Sequence, residues 1–145
     1  MTGFRLGYVA APSAIVGELA KLQSHLTCNG CSFAQHGALQ ALALDSNLHN
    51  DWRRELQRKR DIAYDYAAKL FECIKPQGAF YLFPDVSNQI QNGESSEDLA
   101  TRILEQANVA VVPGEAFAQS GNVRLSFALA EKELIEGFER ISEIL

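Results

Sequence analysis

The 145-residue sequence predicts an α+β fold, a small antiparallel or mixed sheet covered by helices on one side. Three observations carry that expectation. Asp51 to Glu72 forms the longest periodic segment, with Trp52, Leu56, Ala63, Tyr66, Ala67 and Leu70 on one face and most charges on the other. Asn122 to Ala128 alternates Val123, Leu125 and Phe127 against Arg124 and Ser126, the period-two pattern of a strand with one face buried. From Asp51 onward the order is helix, strand, helix, two strands, helix. At 47% apolar residues, the length suffices for one core and is short for two independent ones.

Taken in order, Arg5 to Ala11 is a short apolar run followed by Pro12-Ser13, which predicts a strand leading to a helix start. Ile15, Val16, Leu19, Leu22 and Leu26 then recur at helical spacing. Beyond a turn at Cys28 to Cys31, Ser32 is expected to cap a small-residue helix through Phe33, Ala34, Ala38, Leu39, Leu42 and Ala43, which ends at Asp45-Ser46-Asn47. Lys75-Pro76-Gln77-Gly78 stops the long helix, and Ala79 to Phe83 reads as an aromatic-rich strand. Asn88 to Ser96 is polar and aperiodic, hence an exposed loop. Ser95 or Ser96 caps a helix to about Ala107 that buries Leu99, Ile103 and Leu104, and Val109 to Val112 is a strand halted by Pro113-Gly114. The last helix, Glu131 to Leu145, aligns Leu134, Ile135, Phe138, Ile141 and Leu145, with acidic residues at its start that suit the helix dipole.

A net charge of −5 argues against a phosphate-backbone binder, and the basic run from Arg53 to Arg60 is interleaved with acids as on a solvated helix face. No apolar stretch is long enough to span a bilayer and no signal peptide is evident, so a soluble cytoplasmic protein is expected. Three cysteines make no disulfide framework, and Cys28-Asn29-Gly30-Cys31 lacks the second pair of a zinc ribbon, leaving an ordinary turn as the expectation. His25, His36 and His49 have no triad or metal spacing, and no metal site is expected.

Two arginines stand out. Arg5 follows Thr2-Gly3, where the backbone can approach a ligand closely, and is either a phosphate ligand or a surface ion pair. Arg124 interrupts an otherwise apolar strand, so its charge is paired, faces an anion-receiving cavity, or points to solvent from an edge strand.

Four segments, in order, resemble landmarks of class I aminotransferases, enzymes that use pyridoxal 5'-phosphate (PLP). They are Met1-Thr2-Gly3-Phe4-Arg5-Leu6-Gly7, Pro76-Gln77-Gly78-Ala79-Phe80-Tyr81, Val112-Pro113-Gly114-Glu115-Ala116-Phe117 and Val123-Arg124-Leu125-Ser126-Phe127-Ala128. The last matches the family's terminal strand letter for letter. The resemblance implies that Arg5 binds the PLP phosphate, Arg124 grips the substrate α-carboxylate, and Phe80 and Tyr81 line the substrate side chain or pack in a core. It also implies a fold type I enzyme, with residues 1–50 the end of the large PLP-binding domain and residues 51–145 the C-terminal small domain. The stretch Leu22 to Thr27, running into Ser32 and Gln35, is similar to a family segment near the subunit interface, and the complete enzyme is expected to be a homodimer.

In the family a Schiff-base lysine precedes this arginine, and its spacing places it just ahead of Met1. The chain is therefore expected to be part of an enzyme, with no catalytic residue of its own and no activity alone. Its first segment is expected to be poorly packed or paired with another chain. The parent reaction implied is amino-group transfer between an aspartate-like amino acid and a 2-oxo acid. A PLP lyase of the same fold would share both arginines, and keto-acid formation with and without an acceptor separates the two. A non-catalytic aminotransferase-like sensing or interaction module is the alternative of another class.

Overall fold

The computed structural model describes residues 1–91 and 93–145, so Asn92 of the predicted loop lies outside the described residues. The chain divides into two compact units, Met1–Leu48 and His49–Leu145.

The first unit holds α1 (Ser13–Leu26) and α2 (Ser32–Ala43). The strand expected from Arg5 to Ala11 does not form: a single 3-10 turn, Thr2–Phe4, is followed by extended chain. A strand needs a neighbour to bond its backbone, and no strand pairs with these residues among those described. Apolar periodicity did place α1, yet its stripe stays in water, with Leu22 56% and Leu26 69% exposed. Ala34 is the one buried side chain among the described residues of this unit. Cys31, not Ser32, occupies the position before α2, and no side chain caps that helix. The turn between the helices is braced by amides instead: Gln23 Nε2 donates to the Cys28 carbonyl at 3.0 Å, and Gln35 Nε2 to the Gly30 carbonyl at 2.8 Å. All three cysteines are free.

The second unit carries the sheet. Its helices are α3 (Asn50–Leu70), α4 (Ser96–Ala107) and α5 (Glu131–Ile144), and its strands β1 (Tyr81–Leu82), β2 (Val112–Pro113) and β3 (Val123–Ser126). The sheet order is β1-β3-β2 and both pairings are antiparallel, with Tyr81 opposite Ser126, Leu82 opposite Leu125, Val112 opposite Arg124 and Pro113 opposite Val123. All three strands are shorter than the sequence patterns suggested. Pairing on the β2 side falls on Val112–Pro113 rather than on residues 109–112, which proline tolerates because β2 is an edge and its missing N–H faces no neighbour.

The core lies between the inner sheet face and the three helices. Leu82, Val123, Leu125 and Phe127 from the sheet meet Ala63 and Ala67 of α3, Leu99 and Ile103 of α4, and Leu134, Phe138 and Ile141 of α5. Four residues of the predicted apolar stripes are outside it: Leu56 and Ile135 are half-buried, and Trp52 and Leu104 are exposed. Trp52 is 65% exposed and stacks near His49, because the core contacts of α3 start only at Ile62. Leu104 is 51% exposed: α4 buries Ser96, Leu99, Ala100, Ile103 and Ala107, and one further residue of helical turn carries Leu104 off that stripe.

Helix α4 is set in place by its N-terminal cap and by Arg102. Ser95 and Asp98 form a reciprocal capping box, with the Asp98 N–H donating to Ser95 Oγ at 3.2 Å and the Ser95 N–H to Asp98 Oδ2 at 2.8 Å. Such a cap is worth about 1 kcal/mol, and these bonds hold the Asp98 carboxyl below its ordinary range. Arg102, largely buried, forks onto Glu94 at 3.0 and 3.1 Å and also donates to the Gln89 carbonyl at 3.0 Å, tying the preceding loop to the helix.

Candidate functional site

The outer face of the sheet is built by strand alternation. Val123, Leu125 and Phe127 point inward, so Arg124 and Ser126 point outward. Residues directly opposite in a ladder share a face, which brings Tyr81 and Val112 to the Arg124 side. The Arg124 guanidinium carbon lies 4.4 Å from the centroid of the Tyr81 ring and 4.8 Å from that of Phe117. Phe83 meets Phe117 edge to face at 5.8 Å. Arg124 is thus half-buried on a sheet face lined with aromatic rings.

Its charge has no carboxylate partner among the described residues. Of the eight arginines, Arg54, Arg58, Arg60 and Arg102 make ion pairs, while Arg53 and Arg140 donate to the Asn50 side chain and the Glu136 carbonyl. Only Arg5 and Arg124 make neither an ion pair nor a side-chain hydrogen bond among the described residues. Desolvating a guanidinium without an internal anion is costly, so the arrangement suits an anion that comes from outside.

Arg5 is exposed and takes a left-handed backbone conformation, φ 51°, closing the Thr2–Phe4 turn rather than opening a strand. Its guanidinium is left to solvent. Phe80, next to Tyr81, packs against the core with its ring 4.3 Å from that of Tyr81, and its carbonyl accepts from the Phe127 N–H at 3.0 Å. The five lysines are engaged elsewhere, Lys21, Lys59, Lys75 and Lys132 with carboxylates and Lys69 over the Tyr66 ring. A groove of about 370 Å³ bounded by Val109, Leu125, Leu129, Leu134 and Phe138 includes neither unpaired arginine.

The profile of the family described as aminotransferase class I and II matches residues 1–141. The chain belongs to that family. A probable aspartate/prephenate aminotransferase of Aquifex aeolicus is 42% identical over the whole of this chain, which spans 38% of that relative's length. The crystal structure of an aromatic aminotransferase from Pyrococcus horikoshii superposes with a TM-score of 0.84 at 36% identity, covering 100% of this chain and 39% of that one. The aspartate aminotransferase of Thermus thermophilus solved with maleate gives 0.80 at 34% identity, covering 100% and 38%.

In this aminotransferase chain the landmark turn after β2 is held by contacts that sequence patterns did not assign. Gly114–Phe117 forms a 3-10 turn, and Glu115 reaches nineteen residues back to α4, where Oε1 accepts from the Ser96 N–H at 3.3 Å and from Ser120 Oγ at 3.0 Å. Its own amide above all, with Ser120 and Ser96, holds its carboxyl below the ordinary range. Ser96, fully buried, accepts from the Gly121 N–H at 2.7 Å. The Gly114 N–H donates to the Asn122 carbonyl at 2.8 Å, and a Cβ on Gly114 would sit 1.9 Å from the Gln119 carbonyl oxygen. Gly114→Ala therefore has to push backbone apart and is expected to destabilise the unit by about 3 kcal/mol, the upper end for overpacking. Urea unfolding measures it, and a loss below about 0.5 kcal/mol would contradict this account of the turn.

Proposed function

We propose that this chain is the substrate-gripping portion of a PLP-dependent transaminase that moves an amino group between an aspartate-like amino acid and a 2-oxo acid. The observation that carries the reading is the pair of arginines that make neither an ion pair nor a side-chain hydrogen bond among the described residues, which are the same two that the family resemblance assigns to phosphate and carboxylate. The names of the relatives, and maleate, a dicarboxylate, on one of them, support an acidic substrate. On this reading residues 1–50 end the large domain and residues 51–145 are the small domain of a cytoplasmic homodimer.

The residues present fit PLP in part. Arg5, exposed and unpaired among the described residues, would hold its phosphate, whereas each lysine is occupied elsewhere and none stands in the motif position for a covalent link. When bound, PLP supplies the electron sink that makes the substrate Cα acidic. Arg124 takes the α-carboxylate through charge-assisted, fork-shaped hydrogen bonds and so fixes the orientation of Cα. The rings of Tyr81 and Phe117 lower the local dielectric around that pair and strengthen it.

The 145-residue polypeptide by itself is accordingly inactive and takes up no PLP covalently. Incubation with PLP, borohydride reduction and intact-mass measurement should give unmodified protein at stoichiometric cofactor. A single added pyridoxyl group at one lysine, with transaminase activity, would overturn the reading.

A further inference from the structure

We propose that Phe117 is a positioning residue for the carboxylate-binding arginine: together with Tyr81 it clamps the Arg124 guanidinium by its ring face and leaves the N–H edge to the substrate. The proposal rests on the assignment of Arg124 to the carboxylate and adds a residue that acts through it.

Three features make Phe117 more than a passing neighbour. Its ring faces the Arg124 guanidinium at 4.8 Å, close to the 4.4 Å of Tyr81, although it comes from a separate segment of chain. That distance lies well inside the range over which a cation is attracted to an aromatic face. The side chain is 46% exposed, so core burial does not account for an aromatic residue here. The backbone beneath it is also over-determined. Ala118, the next residue, is held at φ 56° with its N–H donated to the Glu115 carbonyl at 3.1 Å. Left-handed conformations cost a non-glycine residue roughly 1–2 kcal/mol and persist where surrounding bonds enforce them. Here Gly114, Glu115 and Ser96 do so, and Phe83 fixes the ring edge to face. All of these groups lie within the second unit.

A guanidinium on a long side chain samples many rotamers, and a fork-shaped carboxylate contact needs one of them. Rings that hold the flat face select that rotamer before the substrate arrives and take no hydrogen-bonding capacity from it. A carboxylate partner would have neutralised the arginine, and a carbonyl partner would have occupied the donors the substrate needs.

The test uses the 145-residue chain and the NMR signals of the Arg124 side chain, with maleate as the carboxylate probe. In the wild type the Arg124 Hδ and Hε resonances are expected upfield from ring currents, with slowed rotation of the guanidinium. Phe117→Leu should return them toward random-coil positions and weaken maleate by roughly three- to tenfold, in line with one cation–π contact. Phe117→Tyr should keep both the shift and the affinity, which general damage to the turn would not predict. Amide shifts of α5 report whether each variant stays folded. Unshifted Arg124 signals in the wild type, or a shift and affinity that survive Phe117→Leu, overturn the clamp. If the shifts obey both variants while maleate binding is the same with Arg124→Gln, the clamp stands and the carboxylate assignment of Arg124 falls.

Discussion

Replacing Arg124 with glutamine is expected to lower kcat/KM for amino acids by two to three orders of magnitude in the PLP-loaded enzyme that contains these residues, which corresponds to about 3–4 kcal/mol. The size follows from what is lost, a charge-assisted fork onto a carboxylate in partly desolvated surroundings. Arg124→Lys should recover only part of it, because an ammonium keeps the charge and loses the paired donors. An amine without a carboxylate serves as the control, since its slower reaction should be indifferent to both changes. The same substitution should leave stability within about 1 kcal/mol, since Arg124 makes aromatic contacts and no ion pair among the described residues, so no orphaned carboxylate results. A fall of less than about threefold in kcat/KM would remove Arg124 from the carboxylate role.

The largest expected structural effect belongs to Phe127→Ala. Phe127 is 1% exposed, follows directly on β3, and packs in the cluster shared by the sheet and all three helices of the second unit. Truncation leaves a cavity that the surrounding helices cannot close, and a loss of about 3–5 kcal/mol in unfolding free energy follows. Leu104→Ala is the matched control, a change on α4 of a side chain that is 51% exposed, and should cost less than about 1 kcal/mol. Urea denaturation of both, with the slope compared as well as the midpoint, decides the matter. Equal losses in the two variants would mean that the core is not where these contacts put it.

Much of this was legible in the order of residues, because helices and strands repeat with different periods. The stripe of α5, the capping signal at Ser95 and the alternation around Arg124 all correspond to observed elements. The errors have a common origin. Arg5 to Ala11 has strand composition, but a strand exists only with a neighbour to take its backbone bonds. Trp52 lies on the apolar face of its helix, yet that face extends past the part of α3 that meets the core. Glu115 and Ser96 stand nineteen residues apart with no shared periodicity, so their bond could not have been anticipated.

Family membership was determined by the sequence alone, since it depends on local motifs in a fixed order, and the same motifs carry the proposal that Arg5 and Arg124 bind anions. Tertiary structure decided what surrounds them: that Arg124 meets Tyr81 and Phe117, that Phe80 packs against the core and the Tyr81 ring, and that six other arginines are already satisfied. Motifs record which groups a chain carries. Whether a charge is spent on a protein neighbour or kept for a ligand depends on contacts between distant segments, which only the folded chain brings within a few ångströms.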